Sequence, residues 1–210
     1  TLAPRPQNAP LQVFARDARP PFGGVLSLTL GAQDVARQVR ALDHGPYANP
    51  LTLPKILAGG QVLIVGAAQV VAGSGTPGQV LAVAPDALTL ACATGAVTLS
   101  GLTCLMGLPV DLPALAPVGH VLPAPDASWT QALAEVAKGE PGWRAALRGF
   151  APVRLAKGGA RHSHALPDGA DADVIAAFGA ALARHLGAAC VGMGVASGVA
   201  HPLLSDWVPL

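Results

Sequence analysis

Several short apolar runs follow one another in the first half of the chain, and they constrain its fold more than any other feature. The runs are rich in Val, Leu, Ile and Thr, and Gly, Pro, Ser or Asp separates each from the next. Short runs of this kind at regular spacing are typical of antiparallel strands in a small barrel. An extended stretch at residues 24–30 precedes them. The sequence predicts strands at residues 61–65, 69–71, 78–83, 87–92 and 96–99.

A short amphipathic helix is predicted ahead of these strands. Val35, Val39 and Leu42 recur at spacings of four and three, so they share one helical face. The basic side chains of Arg37 and Arg40 lie off that face. A Gly-Pro pair follows the helix and is expected to end it, because glycine suits the C-terminal turn and proline cannot continue the helix.

A proline-rich segment separates two predicted domains. Its prolines are Pro109, Pro113, Pro117, Pro123 and Pro125. Segments of this composition behave as semi-rigid spacers. We therefore expect a β-barrel domain with one helix at residues 1–108, a linker at residues 109–127, and an α/β lobe at residues 128–210.

The second part of the chain predicts the order helix, helix, strand, helix, strand. Ser128 begins a capping-box pattern, and Pro141 is expected to open a second helix, where its missing N–H is not needed. A third helix is expected to begin near Asp171 and to end at Gly187. With the first half, this order predicts an α+β fold: a small OB-like β-barrel joined to a truncated α/β lobe.

Charge is sparse along the chain, which limits the partners it can have. Charged residues make up 12% of the 210 residues, and the formal net charge is +1. No Lys or Arg occurs between residues 58 and 108. Because binding to nucleic acid phosphates needs several cations that release counterions, we expect no nucleic acid partner.

Cysteine usage and hydropathy bear on the compartment. Cys92, Cys104 and Cys190 are scattered, with no spacing typical of a metal site or a disulfide scaffold. The N-terminal residues contain no apolar signal-peptide core, and no run of about 18 apolar residues occurs. We therefore expect a cytoplasmic protein with no membrane partner, no metal and no cofactor.

A histidine and an aspartate in the second half are the sharpest candidates for catalysis. The segment Ser163-His164-Ala-Leu-Pro-Asp168-Gly169 resembles the His-His-x-x-x-Asp-Gly motif of peptide-synthetase condensation domains and related acyltransferases. That resemblance implies that His164 assists attack on a thioester and that Asp168 holds the structure. Ser163 stands where the motif has its first His. The alternative is a strand at residues 161–166 followed by a Pro-Asp-Gly turn.

A second cluster lies in the loop that follows the first helix. His44, Tyr47 and Asn49 place an imidazole, a phenol and an amide within six residues. These groups supply oriented hydrogen bonds, so the loop is a candidate substrate-binding pocket. The alternative is a rigid loop whose polar side chains satisfy the local backbone.

The first half resembles the C-terminal domain of methionyl-tRNA formyltransferase and its relatives. In that family a strand leads into a short helix that ends in Arg-Ala-(Phe/Leu), as residues 26–43 do around Arg40. Further segments resemble the family in order, at residues 60–68, 76–81 and 87–99. The resemblance covers about residues 15–105 and implies an open, OB-like barrel that accompanies a formyltransferase catalytic domain. No catalytic half is visible here, and without Lys or Arg in the strands tRNA binding is not expected.

The second half resembles part of a nonribosomal peptide synthetase condensation domain. Residues 143–150 are similar to its (Y/F)-W-x-x-x-L-x-G helix, and residues 174–187 to its later L-x-A-x-x-x-x-L-x-R-x-x-G helix. Residues 190–195 and 206–210 stand where V-x-G-x-P-V and N-x-x-P-L are expected. The resemblance implies a truncated condensation-type lobe, in which residues 161–167 fall on a strand after the catalytic loop.

Together the two resemblances imply an internal, non-catalytic segment of a nonribosomal peptide synthetase-like protein. Such a segment would position neighbouring domains or dock a carrier protein, with adenylation and carrier-protein domains as partners. One alternative is a condensation-type enzyme or acyltransferase that uses His164 as general base on a carrier-bound thioester. The other is a small-molecule binding module that uses the loop of His44, Tyr47 and Asn49.

Overall fold

The protein has a mixed α+β fold with antiparallel sheets, as the order of its elements predicted. The structure, a computed structural model, describes residues 18–47, 49, 51–148, 172–187, 194–196, 201–204 and 207–209. Close approaches between Cα atoms divide the chain into two compact units, Thr1–Gly139 and Glu140–Leu210.

The first helix is confirmed and covers one side of the first unit. A 3-10 turn at Pro21–Gly24 precedes it, and α1 spans Ala32–Leu42. Val35 and Val39 are at most 2% exposed. Their spacing places both on the apolar face, whose burial accounts for the formation of so short a helix.

Six strands follow, and five of them match the predicted runs. They are β1 (Lys55–Ala58), β2 (Gln61–Ile64), β3 (Ala67–Val71), β4 (Val80–Ala84), β5 (Ala87–Ala91) and β6 (Ala96–Ser100). Strand β1 was not predicted. The prediction of an extended stretch at residues 24–30 is wrong. Only an isolated bridge from Val25 to Lys55 forms there, because the chain turns at Ser27 to Leu30.

The strands form two antiparallel sheets. Strands β1 and β2 make a hairpin, and the larger sheet has the order β3-β6-β5-β4. Ile64 and Thr103 exchange backbone hydrogen bonds of 2.8 and 3.2 Å, which links the end of β2 to the chain after β6. Across the described strands the sheets stay open rather than closing into a barrel.

The core of the first unit lies between α1 and the larger sheet. Leu88 and Leu90 of β5 and Leu99 of β6 have no exposed surface. They belong to one buried cluster with Val35 of α1 and Leu63 of β2. Burying side chains of this size contributes about 1.5–3 kcal/mol each, so this cluster is the main source of stability in the unit.

Part of the proline-rich segment belongs to this core, although the sequence predicts residues 109–127 as a linker. Asp111 caps the short helix α2 (Leu112–Leu115) by accepting a hydrogen bond from the Ala114 amide. Leu112 is fully buried, and Leu122 is 5% exposed. The prolines stiffen the backbone of the segment, and its buried leucines join the core cluster of the first unit.

The second half differs from its predicted element order at one helix. A single helix, α3 (Trp129–Arg148), runs through Pro141, where two helices were expected. The proline ring fits a helical φ, and the helix continues although Pro141 cannot donate a backbone hydrogen bond. The prediction of a capping box at Ser128 is also wrong. Instead of capping the helix, the Ser128 hydroxyl donates to the Asp126 carboxylate at 2.7 Å.

The remaining elements belong to the second unit. Helix α4 (Ala172–Leu186) has Asp173 in its first turn, and Gly187 follows its end, as predicted. Strands β7 (Gly194–Ala196) and β8 (Trp207–Pro209) pair antiparallel. Among the helices that the described residues form, none is both long enough and apolar enough to cross a membrane.

Candidate functional site

Asn49, one of the predicted ligand-binding residues, is occupied by the backbone around it. Its side-chain amide donates to the Leu42 carbonyl at 2.7 Å and to the Thr52 carbonyl. Its oxygen accepts from the amides of Leu51 at 2.8 Å and Thr52 at 3.3 Å. An Asn side chain offers two donors and one oxygen with two lone pairs, so all its bonding capacity is used in shaping this loop.

The other two residues of that cluster, His44 and Tyr47, differ from each other in exposure. Tyr47 is 80% exposed, and its backbone amide donates to the His44 carbonyl at 3.3 Å. His44 is half-buried. The three side chains therefore share a loop but differ in exposure, from half-buried His44 and Asn49 to exposed Tyr47. The hydrogen bonds of Asn49 are of the kind that a rigid loop would have, and the binding role of the three residues stays a prediction.

The candidate catalytic residues His164 and Asp168 lie outside the described residues. Their predicted role is not addressed by the geometry. Within the described part of the chain, no group of three or more His, Cys, Asp or Glu side chains could hold a metal ion.

A small cavity opens between the start of the first unit and its proline-rich segment. Leu26, Thr29, Gly78 and Leu122 are among the residues that line it, and it holds about 20 Å³. A single water molecule needs at least ~10–15 Å³ of such space. This cavity therefore has room for water and not for an amino acid or a folate.

The thiol of Cys92 does not qualify as a nucleophile. Cys92 is 3% exposed and packs in the core, and this burial raises the pKa of its thiol. A raised pKa keeps the group as the neutral thiol, and the thiolate is the reactive form. Cys92 therefore behaves as a small apolar core residue.

Lys55 carries the most unusual electrostatics of the described residues, and the sequence patterns did not single it out. Its ammonium donates to the carbonyls of Gly23 and Leu53, both at 2.9 Å, and to the Thr52 hydroxyl. Burial lowers the pKa of Lys55 to about 8. One signal could have found it: Lys55 is the last Lys or Arg before Lys138 and begins a strand that is otherwise apolar.

The segments joined by Lys55 approach one another closely. We call residues 21–25 and 51–55 together the Lys55 seam. A Cβ atom on Gly24 would lie 2.6 Å from Thr52 Cγ2 and 2.7 Å from the Leu53 carbonyl oxygen. The backbone of Gly24 also has a φ of +84°, which favours glycine. Only glycine permits this packing.

An apolar turn lies just after the pairing between β2 and the chain beyond β6. We call residues 104–108 the apolar turn. Leu105, Met106 and Leu108 are 60%, 83% and 61% exposed. The Cys104 amide donates to the Leu108 carbonyl at 2.9 Å, and the Gly107 amide donates to the Cys104 carbonyl at 2.9 Å. The backbone of the turn is thus fixed while its large side chains face solvent.

Charge is nearly absent around the apolar turn. Residues 56–137 contain no Lys or Arg and only a few acidic residues: Asp86, Asp111, Asp126 and Glu135. Three large apolar side chains are therefore exposed on one short turn, within a stretch of sequence that carries little charge. The arrangement suits apolar recognition better than binding of an ion.

No protein-family model matches the chain, and no curated protein matches it either. The resemblances to a formyltransferase C-terminal domain and to a condensation domain therefore stay predictions.

Proposed function

We propose that this chain is a non-catalytic accessory segment of a nonribosomal peptide synthetase-like protein, and that its first unit docks a neighbouring domain through the apolar turn. The exposure of Leu105, Met106 and Leu108 is the observation that carries this proposal. Large apolar side chains held on a rigid turn lose little conformational freedom on binding, so the energy of burying them goes into affinity.

The order of elements in the first unit supports the formyltransferase-like part of the proposal. A short helix with Arg40 near its end precedes antiparallel strands at the positions that the resemblance implies. The link between Ile64 and Thr103 places the β1–β2 hairpin beside the larger sheet, an arrangement compatible with an open, OB-like barrel. On this proposal the barrel-like unit holds the apolar turn in place, and the apolar turn contacts the neighbouring domain.

The described site geometry also favours docking over binding of a small molecule. Asn49 has no free bonding capacity, and the cavity beside Leu26 admits only water. Small-molecule sites usually enclose about 300–1,000 Å³. A docking surface needs no such cavity.

The partner we propose is a carrier-protein or adenylation domain with an apolar groove. The lack of Lys and Arg across residues 56–137 removes the usual attraction to phosphate-rich surfaces. Burial of the three side chains of the turn in a groove would be the main favourable contribution to binding.

A titration of the labelled 210-residue chain tests the proposal. Carrier-protein and adenylation domains encoded in the same genomic neighbourhood are added separately to ¹⁵N-labelled protein. We expect the largest amide shifts at residues 104–108 with one of the two domains. The double variant Leu105→Ser/Leu108→Ser should weaken binding at least about tenfold, since two buried leucines are lost from the interface.

Val118→Ser is the matched control, because Val118 is 65% exposed on the same unit but lies outside the turn. It should bind as the unchanged protein does. The proposal is wrong if neither domain binds, or if the double variant binds as tightly as the control. It is also wrong if the chain alone forms an acyl or formyl product that disappears on His164→Ala.

A further inference from the structure

Lys55 joins two segments that are far apart in sequence, and its partners are all neutral. Its ammonium has three N–H donors, and the Gly23 carbonyl, the Leu53 carbonyl and the Thr52 hydroxyl accept from them. No carboxylate is among these partners. A half-buried ammonium without an anionic partner keeps its hydrogen bonds but loses part of the hydration that favours its charge.

The segments around Lys55 contain no group that would restore this lost stabilisation. Residues 20–33 and 49–66 include the segments that bond to its amine, and Lys55 is their sole ionisable residue. The acidic residues near the start of α3 bond to other groups. Just before the helix, the carboxylate of Asp126 accepts from the Ser128 amide at 2.8 Å. Further along α3, Glu135 pairs with Lys138 at 2.7 Å.

We call the Gly23 carbonyl, the Leu53 carbonyl and the Thr52 hydroxyl the cage of Lys55. These three groups can also form hydrogen bonds with the neutral amine. A neutral amine has two N–H donors and one lone pair, so two carbonyls can still accept from it. The Thr52 hydroxyl now donates to the Gly23 carbonyl at 2.9 Å. Since a hydroxyl both donates and accepts, it can rotate and donate to the lone pair of Lys55 instead. Every polar atom of the cage then keeps a partner in either protonation state.

The cage also holds the turn that contacts α3. Lys55 and Thr52 both bond to the Gly23 carbonyl, and the neighbouring Phe22 has a φ of +53°, which is unusual for a residue with a side chain. The Phe22 amide donates to the Thr130 hydroxyl at 3.0 Å. Holding Gly23 therefore helps to hold Phe22 against the first turn of α3.

We propose that Lys55 is a proton-controlled latch, which holds the Pro21–Gly24 turn against residues 51–55 and closes more tightly when its amine is neutral. Opening the latch returns the amine to water, where it prefers to be charged. Loss of a proton therefore favours the closed seam, and protonation favours its opening. The lone pair of the neutral amine is capped by Thr52, so the group acts as a latch and not as a nucleophile.

The direction of the pH effect follows from the pKa values of the two states. The pKa of Lys55 is about 8 in the folded protein, against 10.5 for an unperturbed lysine. Above pH 8 the unfolded chain binds more protons at this position than the folded one does, so stability rises with pH. Between about pH 7 and 9.5 the unfolding equilibrium constant should fall through this group by several-fold, with about 30-fold as the upper bound, because solvent screens the half-buried amine.

The test compares Lys55→Met with Lys138→Met in the full chain. Both changes remove an ammonium and keep an unbranched side chain, but Lys138 is exposed and paired with Glu135. Between about pH 7 and about pH 9.5, urea unfolding should show a larger downward change of the unfolding constant in the unchanged protein and in Lys138→Met than in Lys55→Met. The Cys92 thiol, whose pKa burial raises, opposes this change equally in all three proteins. An equal pH dependence in all three proteins would overturn the proposal.

A local measurement separates the latch from a general effect on stability. The ¹⁵N–¹H shift of the Phe22 amide reports its bond to Thr130. We expect that shift to titrate near pH 8 in the unchanged protein and in Lys138→Met, and to stay constant in Lys55→Met. If Lys55 itself titrates near 10.5 by ¹³Cε NMR, or if the Phe22 amide does not respond, the latch does not exist.

Thr52→Val tests the role of the hydroxyl. The valine keeps the shape of the side chain and removes its hydrogen bonding. Because the hydroxyl serves the charged and the neutral amine, the unfolding constant should rise at both pH values, and Thr52→Ser should restore it. A loss at only one pH would show that the hydroxyl serves only one protonation state, which contradicts the cage described above.

Discussion

The Lys55 seam and the apolar turn, both in the first unit, use polar and apolar groups in opposite ways. At the seam, the half-buried side chains of a lysine and a threonine are partly removed from water, and each of their polar atoms bonds to the protein. At the turn, the backbone bonds to itself while Leu105 and Met106 remain in water. Buried polar groups define one local structure because an unpaired one is costly. Exposed apolar groups add little to folding and are available to a partner.

The largest effect that would test this comparison comes from the glycines. Gly24→Ala should lower the free energy of unfolding by about 3 kcal/mol, because the left-handed backbone and the close approach of Thr52 both oppose a side chain. Gly107 in the apolar turn has a φ of +75°, and a Cβ atom at this position would meet nothing within 4 Å. Gly107→Ala should therefore lower it by only about 1 kcal/mol. Urea unfolding measures both values, and equal losses would contradict the difference in packing.

A smaller effect sharpens the same comparison at the loop beside the seam. Asn49→Ala should lower the free energy of unfolding by about 2 kcal/mol, since it leaves the carbonyls of Leu42 and Thr52 without their side-chain donor. Tyr47→Ala should change it by no more than about 0.5 kcal/mol, because the ring is 80% exposed. Thermal unfolding distinguishes the two. A large loss for Tyr47→Ala would mean that the ring packs in a way the structure does not show.

The smallest effect is expected at the apolar turn. Leu105→Ser and Leu108→Ser, tested singly, should each change the free energy of unfolding by no more than about 0.5 kcal/mol, since both side chains are about 60% exposed. Chemical denaturation monitored by circular dichroism provides the values. A loss above about 2 kcal/mol would show that the turn stabilises the fold, and the contrast with the seam would then fail.

Much of the fold of the first unit was predictable, because its signals are local. The stripe of Val35, Val39 and Leu42 predicts α1, and the runs of β-branched residues predict β2 to β6. Strand β1 escaped prediction because Pro54 and Lys55 interrupt its apolar pattern. Burial of Leu112 and Leu122 was also hidden, since a high proline content indicates stiffness but does not reveal on which side the segment packs.

The candidate sites were less predictable, because they depend on contacts between distant segments. Asn49 looked like a ligand-binding residue by type, but its bonding capacity is used by Leu42, Leu51 and Thr52. The sequence does not indicate the role of Lys55, because its partner Gly23 lies 32 positions away. The roles predicted for His164 and Asp168 stay predictions, as both lie outside the described residues.

The bond from the Phe22 amide to the Thr130 hydroxyl also affects the order in which the first unit forms during synthesis. The two residues are 108 positions apart. At translation rates of about 5–20 residues per second, Thr130 is added roughly 5–20 s after Phe22. Local pairs such as the β1–β2 hairpin form within microseconds. The hairpin and the sheet can therefore form on the ribosome before the Pro21–Gly24 turn makes its hydrogen bond to Thr130.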